Sequence, residues 1–371
     1  MPDKRPVILY GASGFSGRLA AEFLREYNVP FMAAGRNGAK IKEVMSRVPG
    51  IETANYEIVE VGGSVKALAK LFTGAKVVCN TVGPCLYYGA DVIGAAWQAG
   101  CHYLDISAEQ AWLRQVAEKW GEKFAAKGLV AAPGTAFMSA VSDAAVHWCL
   151  EEAGAIDTLE ILTMFKGIPT FGSTQTIFAV IPTDAYYLEQ NQYRPWPRAM
   201  PHEVVVPGSI TTRLALPWGG FPHPVWYKDH PRIANVRCLG GLLDRQIMQT
   251  VAATERHFEQ EIRPLPKKEQ ERKLAEMASS VQGGTPPPEN TREQRTVDIV
   301  VGRGTTDFVQ CVVLGTCAYR TTGLLQAYAA HHLIHAAPRR VGFASPAAAF
   351  GHRELLKALE GYGLSKARLC G

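Results

Sequence analysis

The sequence predicts an α/β protein whose N-terminal part is a doubly wound parallel sheet, and three observations carry that expectation. Short apolar runs recur at 7–10, 30–34, 57–61, 76–82, 102–106 and 129–132. Helical patterns fill the intervals between them, the order expected of parallel βαβ units. The first run ends in a glycine-rich turn rather than in an ordinary polar loop. From residue 158 the composition changes to aromatics, Thr and Pro, which marks a second region.

Residues 7–10 (VILY) read as a buried strand, and GASGFSG follows at 11–17 with a glycine at every third position. The helix that comes next places Leu19, Ala20, Phe23 and Leu24 on one face. Strand, glycine turn and helix together are the setting of a dinucleotide site. Gly11 makes the tight turn, Gly14 admits a pyrophosphate close to the backbone, and Gly17 lets the helix pack on its strand. Ser13, Phe15 and Ser16 complete the loop, and the N–H groups of the helix start face the phosphates. The competing reading is a glycine turn without a ligand.

The second strand ends at Gly35, Arg36 and Asn37, where such folds place the reader of the ribose. An acidic side chain there accepts from the 2′-OH. A guanidinium instead stacks on adenine and pairs with a 2′-phosphate, so Arg36 points to NADP(H); the alternative is a surface arginine. A helix over 40–48, a strand over 57–61 and a helix over 64–72 capped by Ser64 follow. The fourth strand, 76–82, is stopped by Gly83 and Pro84, and a loop runs over 85–89. Helices over 90–99 and 109–127 flank the fifth strand, and 129–132 is the sixth. Ligands bind beyond the carboxyl ends of such strands. The expected functional loops are therefore 11–16, 35–37, 82–88, 105–109 and 133–138. Thr81, Val82, Gly83 and Pro84 place backbone beside the nicotinamide.

A helix over 141–152 leads out of this region. Beyond it, 158–165 reads as a strand and 173–187 as a helix, while 194–201 and 217–224 are proline loops with exposed tryptophans. Those loops fit surface connections or the wall of an apolar substrate site. A helix is expected over 250–261. The stretch 264–295, with KKEQERK and a Gly/Pro tract, reads as a mobile helix and linker or a lid. Residues 296–302 and 307–319 form a hairpin pair, and 322–336 is an apolar helix. Its histidines, His331, His332 and His335, lack the carboxylate or Cys partners of a metal site, so no metal is expected.

The 371 residues are 47% hydrophobic and 20% charged, suited to a globular protein with a large core. A net charge of +5 without a dense Lys/Arg stripe argues against nucleic acid and suits an anionic cofactor or acyl carrier. The eight cysteines form no C-x-x-C, and several lie in apolar strands, as in a reducing compartment. The N-terminus runs directly into the first strand, and no long apolar run exists, so a soluble cytoplasmic protein is expected.

Four motifs in order, VILYGASGFSG, NTVGPCLYYG (80–89), GCHYLDISAE (100–109) and AAPGTAFMSAVSD (131–143), resemble the saccharopine dehydrogenase-like reductases. The likeness is greatest to the bacterial branch of trans-acting enoyl reductases, which act on polyketide-type acyl chains. The resemblance implies a Rossmann domain over 1–140 and a substrate and dimerisation domain over 141–337 with a mainly antiparallel sheet. It also implies a C-terminal segment, 338–371, returning to the first domain, a homodimer, and hydride transfer from NADPH. Where saccharopine reductases hold a dicarboxylate amino acid, this chain shows no clamp: Arg194, Arg198, Arg213 and Arg232 are scattered.

Reduction of a conjugated C=C needs hydride at the β carbon and a proton at the α carbon. A tyrosine can donate that proton or polarise the carbonyl. Tyr88 is the first candidate and Tyr87 the second; packing is the alternative role for both. Cys85 can face the same loop. Asp105, followed by Ser107, can orient a substrate or ribose or cap the next helix, and Met138 and Ser139 follow the sixth strand. Besides this reductase of an apolar enoyl or carbonyl group, two readings stay open: a saccharopine-type amino-acid or imine dehydrogenase, and a non-catalytic NADP sensor or scaffold.

Overall fold

The computed structural model describes residues 5–281 and 292–370. Three stretches up to Ala108, Trp112–Ala144 and Tyr319–Leu364 form one compact unit; Glu109–Ala111, Ala145–Ala318 and the residues from Ser365 form the other.

In the first unit the strands are β1 (Val7–Tyr10), β2 (Phe31–Gly35), β3 (Tyr56–Glu60), β4 (Val77–Asn80), β5 (His102–Asp105) and β6 (Val130–Ala132), with a short late strand β15 (Gly342–Phe343). Helices α1 (Phe15–Glu26), α2 (Gly38–Met45), α3 (Val65–Phe72), α4 (Cys85–Ala99) and α5 (Gln110–Ala125) alternate with the first six, and α6 (Ser142–Glu152) leads on. The caps follow the sequence: Asn37 accepts from Lys40 N at the start of α2, and Ser64 caps α3. The parallel sheet runs β15–β6–β5–β4–β1–β2–β3, so the order reverses at β1, the topological switch point where such folds bind ligands. β1, β2, β4 and β6 are buried at every position, as a sheet covered on both faces requires.

The second region adds β7 (Thr158–Lys166), α7 (Phe171–Val180), β8 (Tyr186–Glu189), β9 (Gln192–Pro195), β10 (His202–Val204), β11 (Arg213–Ala215), α8 (His223–Trp226) and β12 (Asn235–Leu242). Then come α9 (Arg245–His257), α10 (Lys267–Ser280), β13 (Arg295–Arg303) and β14 (Phe308–Gly315). α11 (Ala318–His335), β15, α12 (Pro346–Phe350) and α13 (His352–Gly361) close the first unit, and β16 (Ser365–Cys370) joins the second sheet. That sheet has the order β16–β14–β13–β7–β12–β8–β9; β7 and β12 are parallel and the other pairings antiparallel. One apolar cluster gathers Met164, Val206, Val297 and Ile299, and a second gathers Phe178, Ile181, Phe258, Ile262 and Leu274.

Five expectations change in detail, the first being that the loop over 85–89 is helical, the first turn of α4, which starts at Cys85 behind Pro84. The helix over 173–187 ends at Val180, because Pro182 cannot continue it and 186–189 pairs as β8. The helix expected from Thr250 starts at Arg245, where Asp244 accepts from Gln246 N and Ile247 N. The loop over 194–201 begins inside β9, and its Trp196, like Trp218 and Trp226, is half-buried rather than exposed. Of 264–295, α10 is helical; the expected Gly/Pro linker over 283–288 lies outside the described residues.

Candidate functional site

The glycine turn is built as its spacing demands. Gly11 adopts φ +92°, and a Cβ there would stand 2.7 Å from Thr81 Oγ1 and 2.9 Å from Val82 Cγ2. A Cβ on Gly17 would lie 2.4 Å from the Gly11 carbonyl oxygen, so only glycine lets α1 sit on this turn. Gly11 N and Ala12 N both donate to Ala34 O, tying the turn to the end of β2. Gly14 is exposed and precedes α1, and neither a side-chain cap nor an acidic residue occupies the first turn of that helix. A twelve-residue helix starting this way leaves N–H dipoles for an anion. Ser13, Phe15 and Ser16 line this opening, half-buried.

Arg36 and Asn37 stand exposed beyond β2. Asn37 spends its side-chain oxygen on Lys40 N, 2.8 Å away. Arg36 lies near enough to Tyr10 to act on its phenol, whose pKa is nonetheless raised by burial. These features suit a phosphorylated dinucleotide: a cradle of glycines, an uncapped helix start and an exposed cation beyond β2.

Next to the turn, Thr81 N and Oγ1 both donate to Tyr10 O, at 2.8 and 2.9 Å. Val82 N donates to Asn80 Oδ1 at 3.1 Å. The Gly83–Pro84 peptide is cis, and Pro84 precedes the first turn of α4. On that turn Tyr87 and Tyr88 are 57% and 55% exposed, their rings in edge contact at 6.4 Å. Cys85 beneath them is buried.

Asp105 is fully buried, and its Oδ1 accepts from Ser107 N (3.0 Å), Ser107 Oγ (2.6 Å) and Gly134 N (2.9 Å). Its Oδ2 accepts from Tyr103 Oη (3.0 Å) and Trp112 Nε1 (2.8 Å). Five internal donors fill the buried carboxylate. The reading of Asp105 as cap of the next helix yields: α5 begins only at Gln110, and Asp105 closes the turn to Ser107.

Sequence reasoning missed the groups that complete this arrangement. Asn80, Tyr103 and Trp112 are buried, and Asn80 Nδ2 donates to Tyr103 Oη at 3.2 Å. Burial and the nearby Asp105 carboxylate push the Tyr103 phenol well above its ordinary range. Gln326 of α11 donates to Asp105 O (3.0 Å) and Thr135 O (2.7 Å), and Thr322 Oγ1 accepts from Phe137 N. Their signal was a polar residue inside an otherwise apolar strand or helix. Met138 is half-buried and Ser139 buried in a π-helical turn, Phe137–Val141, that follows β6. On α11, the rings of His331 and His335 lie 4.6 Å apart with their planes tilted by 56°, and no metal-binding group of three ligands occurs among the described residues.

The comparisons with known proteins follow the same division. Residues 7–132 match the saccharopine dehydrogenase NADP binding domain, and residues 140–370 match a family of unknown function, DUF5938. A trans-acting enoyl reductase of Mycobacterium ulcerans (strain Agy99) is 30% identical over 158 residues, 42% of this chain and 38% of that protein. A saccharopine dehydrogenase-like oxidoreductase of Homo sapiens is 31% identical over 183 residues, 44% of this chain and 43% of that protein. A lipid droplet localized protein of Caenorhabditis elegans is 30% identical over 150 residues, 38% of this chain and 35% of that protein. The chain thus spans well under half the length of these relatives. Apo saccharopine dehydrogenase (L-Glu forming) from Saccharomyces cerevisiae superposes over 99% of this chain and all of its own, with a TM-score of 0.61 at 11% identity, a likeness of fold. No helix among the described residues is long and apolar enough to cross a membrane. With residues 140–370 inside its model, the chain belongs to the family DUF5938, and its residues 7–132 are a saccharopine dehydrogenase NADP-binding domain.

Proposed function

We propose that the protein is an NADPH-dependent reductase that transfers hydride to an apolar conjugated C=C or carbonyl group, carried on an acyl thioester or polyketide-type chain. The observation that carries the NADPH part is the open glycine turn at the uncapped start of α1, with Arg36 exposed beyond β2. Gly11, Ser13, Gly14, Phe15, Ser16 and Gly17 hold the pyrophosphate, and Arg36, beside Asn37, pairs with the 2′-phosphate. Thr81, Val82, Gly83 and Pro84 offer backbone to the nicotinamide. NADPH, when bound, supplies the hydride. Tyr88 holds a proton at Oη for the α carbon, with Tyr87 as its neighbour, and Asp105 acts by fixing the loops.

The amino-acid reading needs unengaged cations in the second unit. Arg198 is paired with Asp184 and Glu259, Arg232 caps backbone carbonyls at Leu150 and Ala153, and Arg194 lies 3.6 Å from Glu189. Their engagement supports the apolar substrate; of the four scattered arginines, Arg213, half-buried with its Nε unpartnered, is the one cation left for the amino-acid reading. The names of the enoyl reductase relatives support it too.

Fluorescence titration with NADPH and NADH, on wild type and Arg36→Ala, tests the cofactor reading. NADPH is expected to bind more tightly by at least ~tenfold, and Arg36→Ala to remove most of that preference. Equal affinity for NADH in the wild type rejects Arg36 as phosphate reader, and absence of binding rejects the enzyme. The sensor alternative predicts binding without turnover of any enoyl thioester.

We also place the protein in the cytoplasm as a homodimer. None of the eight cysteines is in a disulfide, in keeping with a reducing compartment. On the face of β14 and β16 that carries Phe308, Val312 and Leu314, the first and last are 61% and 50% exposed. Arg368 and Lys366 of β16 pair with Val312 and Leu314 on that face, so it is a mixed face whose exposed Phe308 and Leu314, rimmed by charge, suit self-association. Light scattering on the eluted peak is expected to give twice the 40.4 kDa chain mass, and a monomer would sink the dimer.

A further inference from the structure

We propose that the buried chain Asn80, Tyr103, Asp105 and Trp112 is a positioning device: it sets the height of the turn after β4 and of the first turn of α4 above the strand ends. In doing so it holds the nicotinamide half of the dinucleotide at its working position. The inference rests on the NADPH reading above and assigns roles to residues that do not touch the cofactor.

The bonds run in one direction. Asn80 Nδ2 donates to Tyr103 Oη, and Tyr103 Oη donates to Asp105 Oδ2, which also receives Trp112 Nε1. Asn80 is thereby turned with its oxygen toward Val82 N, since the reverse orientation would set N–H against N–H. The orientation of one buried carboxylate is passed through two side chains to the amide of the nicotinamide loop. The strand register makes this possible: Asn80 and Asp105 are paired residues at the ends of β4 and β5, and Tyr10 pairs with Asn80.

The chain also reaches outward at both ends. The Val82 side chain stands 2.9 Å from where a Cβ on Gly11 would lie, so the loop it holds is in register with the glycine turn. The Trp112 ring occupies the place of a side chain at Gly89, where a Cβ would lie 2.5 Å from Cζ2. Gly89 follows Tyr88 directly. Trp112, fixed by its bond to Asp105, therefore defines how closely the tyrosine-bearing turn of α4 approaches the sheet. An apolar core would fill this volume without the cost of burying a carboxylate. What a fully satisfied polar network adds is a fixed geometry. This one lies under β4, β5 and the loop after β6, the half of the sheet beyond the switch point at β1.

The test compares two probes on the full chain: NADPH, and 2′,5′-ADP, which carries the 2′-phosphate and adenine but no nicotinamide. Each is titrated against wild type, Tyr103→Phe and Trp112→Phe, with a melting curve for each protein. Both variants are expected to keep 2′,5′-ADP affinity within about twofold while NADPH affinity falls ~tenfold, with a shift in bound-nicotinamide fluorescence. A network that only stabilises the fold lowers the melting temperature and leaves the ratio of the two affinities at its wild-type value; that result overturns the inference. If Tyr103→Phe does not fold, Trp112→Phe, which keeps an aromatic ring against Gly89, decides alone. A wild type that binds neither probe overturns the NADPH reading and the inference with it. A wild type that binds both, with the ratio unmoved in the folded variants, overturns the inference only.

Discussion

Asp105 and Asp298 are both wholly buried on strands, one in each unit, and they are opposites. Asp105 ends β5 and accepts five hydrogen bonds from four residues. Asp298 lies mid-strand on β13 and accepts one bond, from Thr163 Oγ1 at 2.9 Å, while its Oδ2 has no partner. Burial raises the Asp298 carboxyl to about 8. The contrast shows that burial alone does not decide what a carboxylate does. Donors that converge on it turn it into a fixed point for loops, and their lack turns it into a held proton.

The largest expected effect comes from breaking the first of these. Asp105→Asn keeps the shape and one acceptor oxygen, so Ser107 and Gly134 can stay paired. Its amide nitrogen must then face Trp112 Nε1–H, donor against donor, in a site without water access. Leaving a buried donor unpaired and weakening the charge-assisted bonds around it costs on the order of 3 kcal/mol. A denaturant titration should show that loss, and nucleotide titration should show NADPH weakened more than 2′,5′-ADP. An Asp105→Asn variant as stable as wild type would mean that the five bonds carry little net energy.

The two units also differ in how much the sequence disclosed. The glycine turn and the parallel order were legible because each needs particular residue types at fixed spacing: glycine at φ +92° in Gly11, glycine under a carbonyl in Gly17. β15 was not legible, since a two-residue strand of Gly342 and Phe343 has no period to read. The Asp105 network was only half legible. The carboxylate stood at a strand end, where a functional residue is expected, but its donors come from Tyr103, Ser107, Trp112 and Gly134. Nothing local to Asp105 says that they converge. In the second unit, strand alternation showed β7 and the β13–β14 pair, while β8 and β9 were hidden by aromatic and proline content that reads equally as helix or loop. Asp298 was passed over because one acid inside TVDIVV does not break the look of a strand.

Asp298 supplies the smaller and sharper test. Its folded-state pKa of about 8 lies above the 3.8 of an unperturbed Asp, so between those values the folded protein binds a proton that the unfolded chain has released. Unfolding then releases that proton, and stability contributed by this group falls as pH rises through the window from about 4 to about 8. Above that window the folded state must carry an ionised carboxylate beside a single hydroxyl donor. Asn at this position is neutral at every pH and can still accept from Thr163. Asp298→Asn should therefore melt with the wild type only below about pH 4, where the acid is protonated both folded and unfolded. At about pH 8.5 it should be the more stable of the two, by on the order of 2 kcal/mol once structural relaxation discounts the full shift. The glycine turn and the Asp105 network lie in the other unit, so NADPH affinity at neutral pH should not change. Parallel pH profiles of melting temperature for the two proteins would show that Asp298 is ionised in the folded state at neutral pH, and the contrast between the two buried acids would then fail.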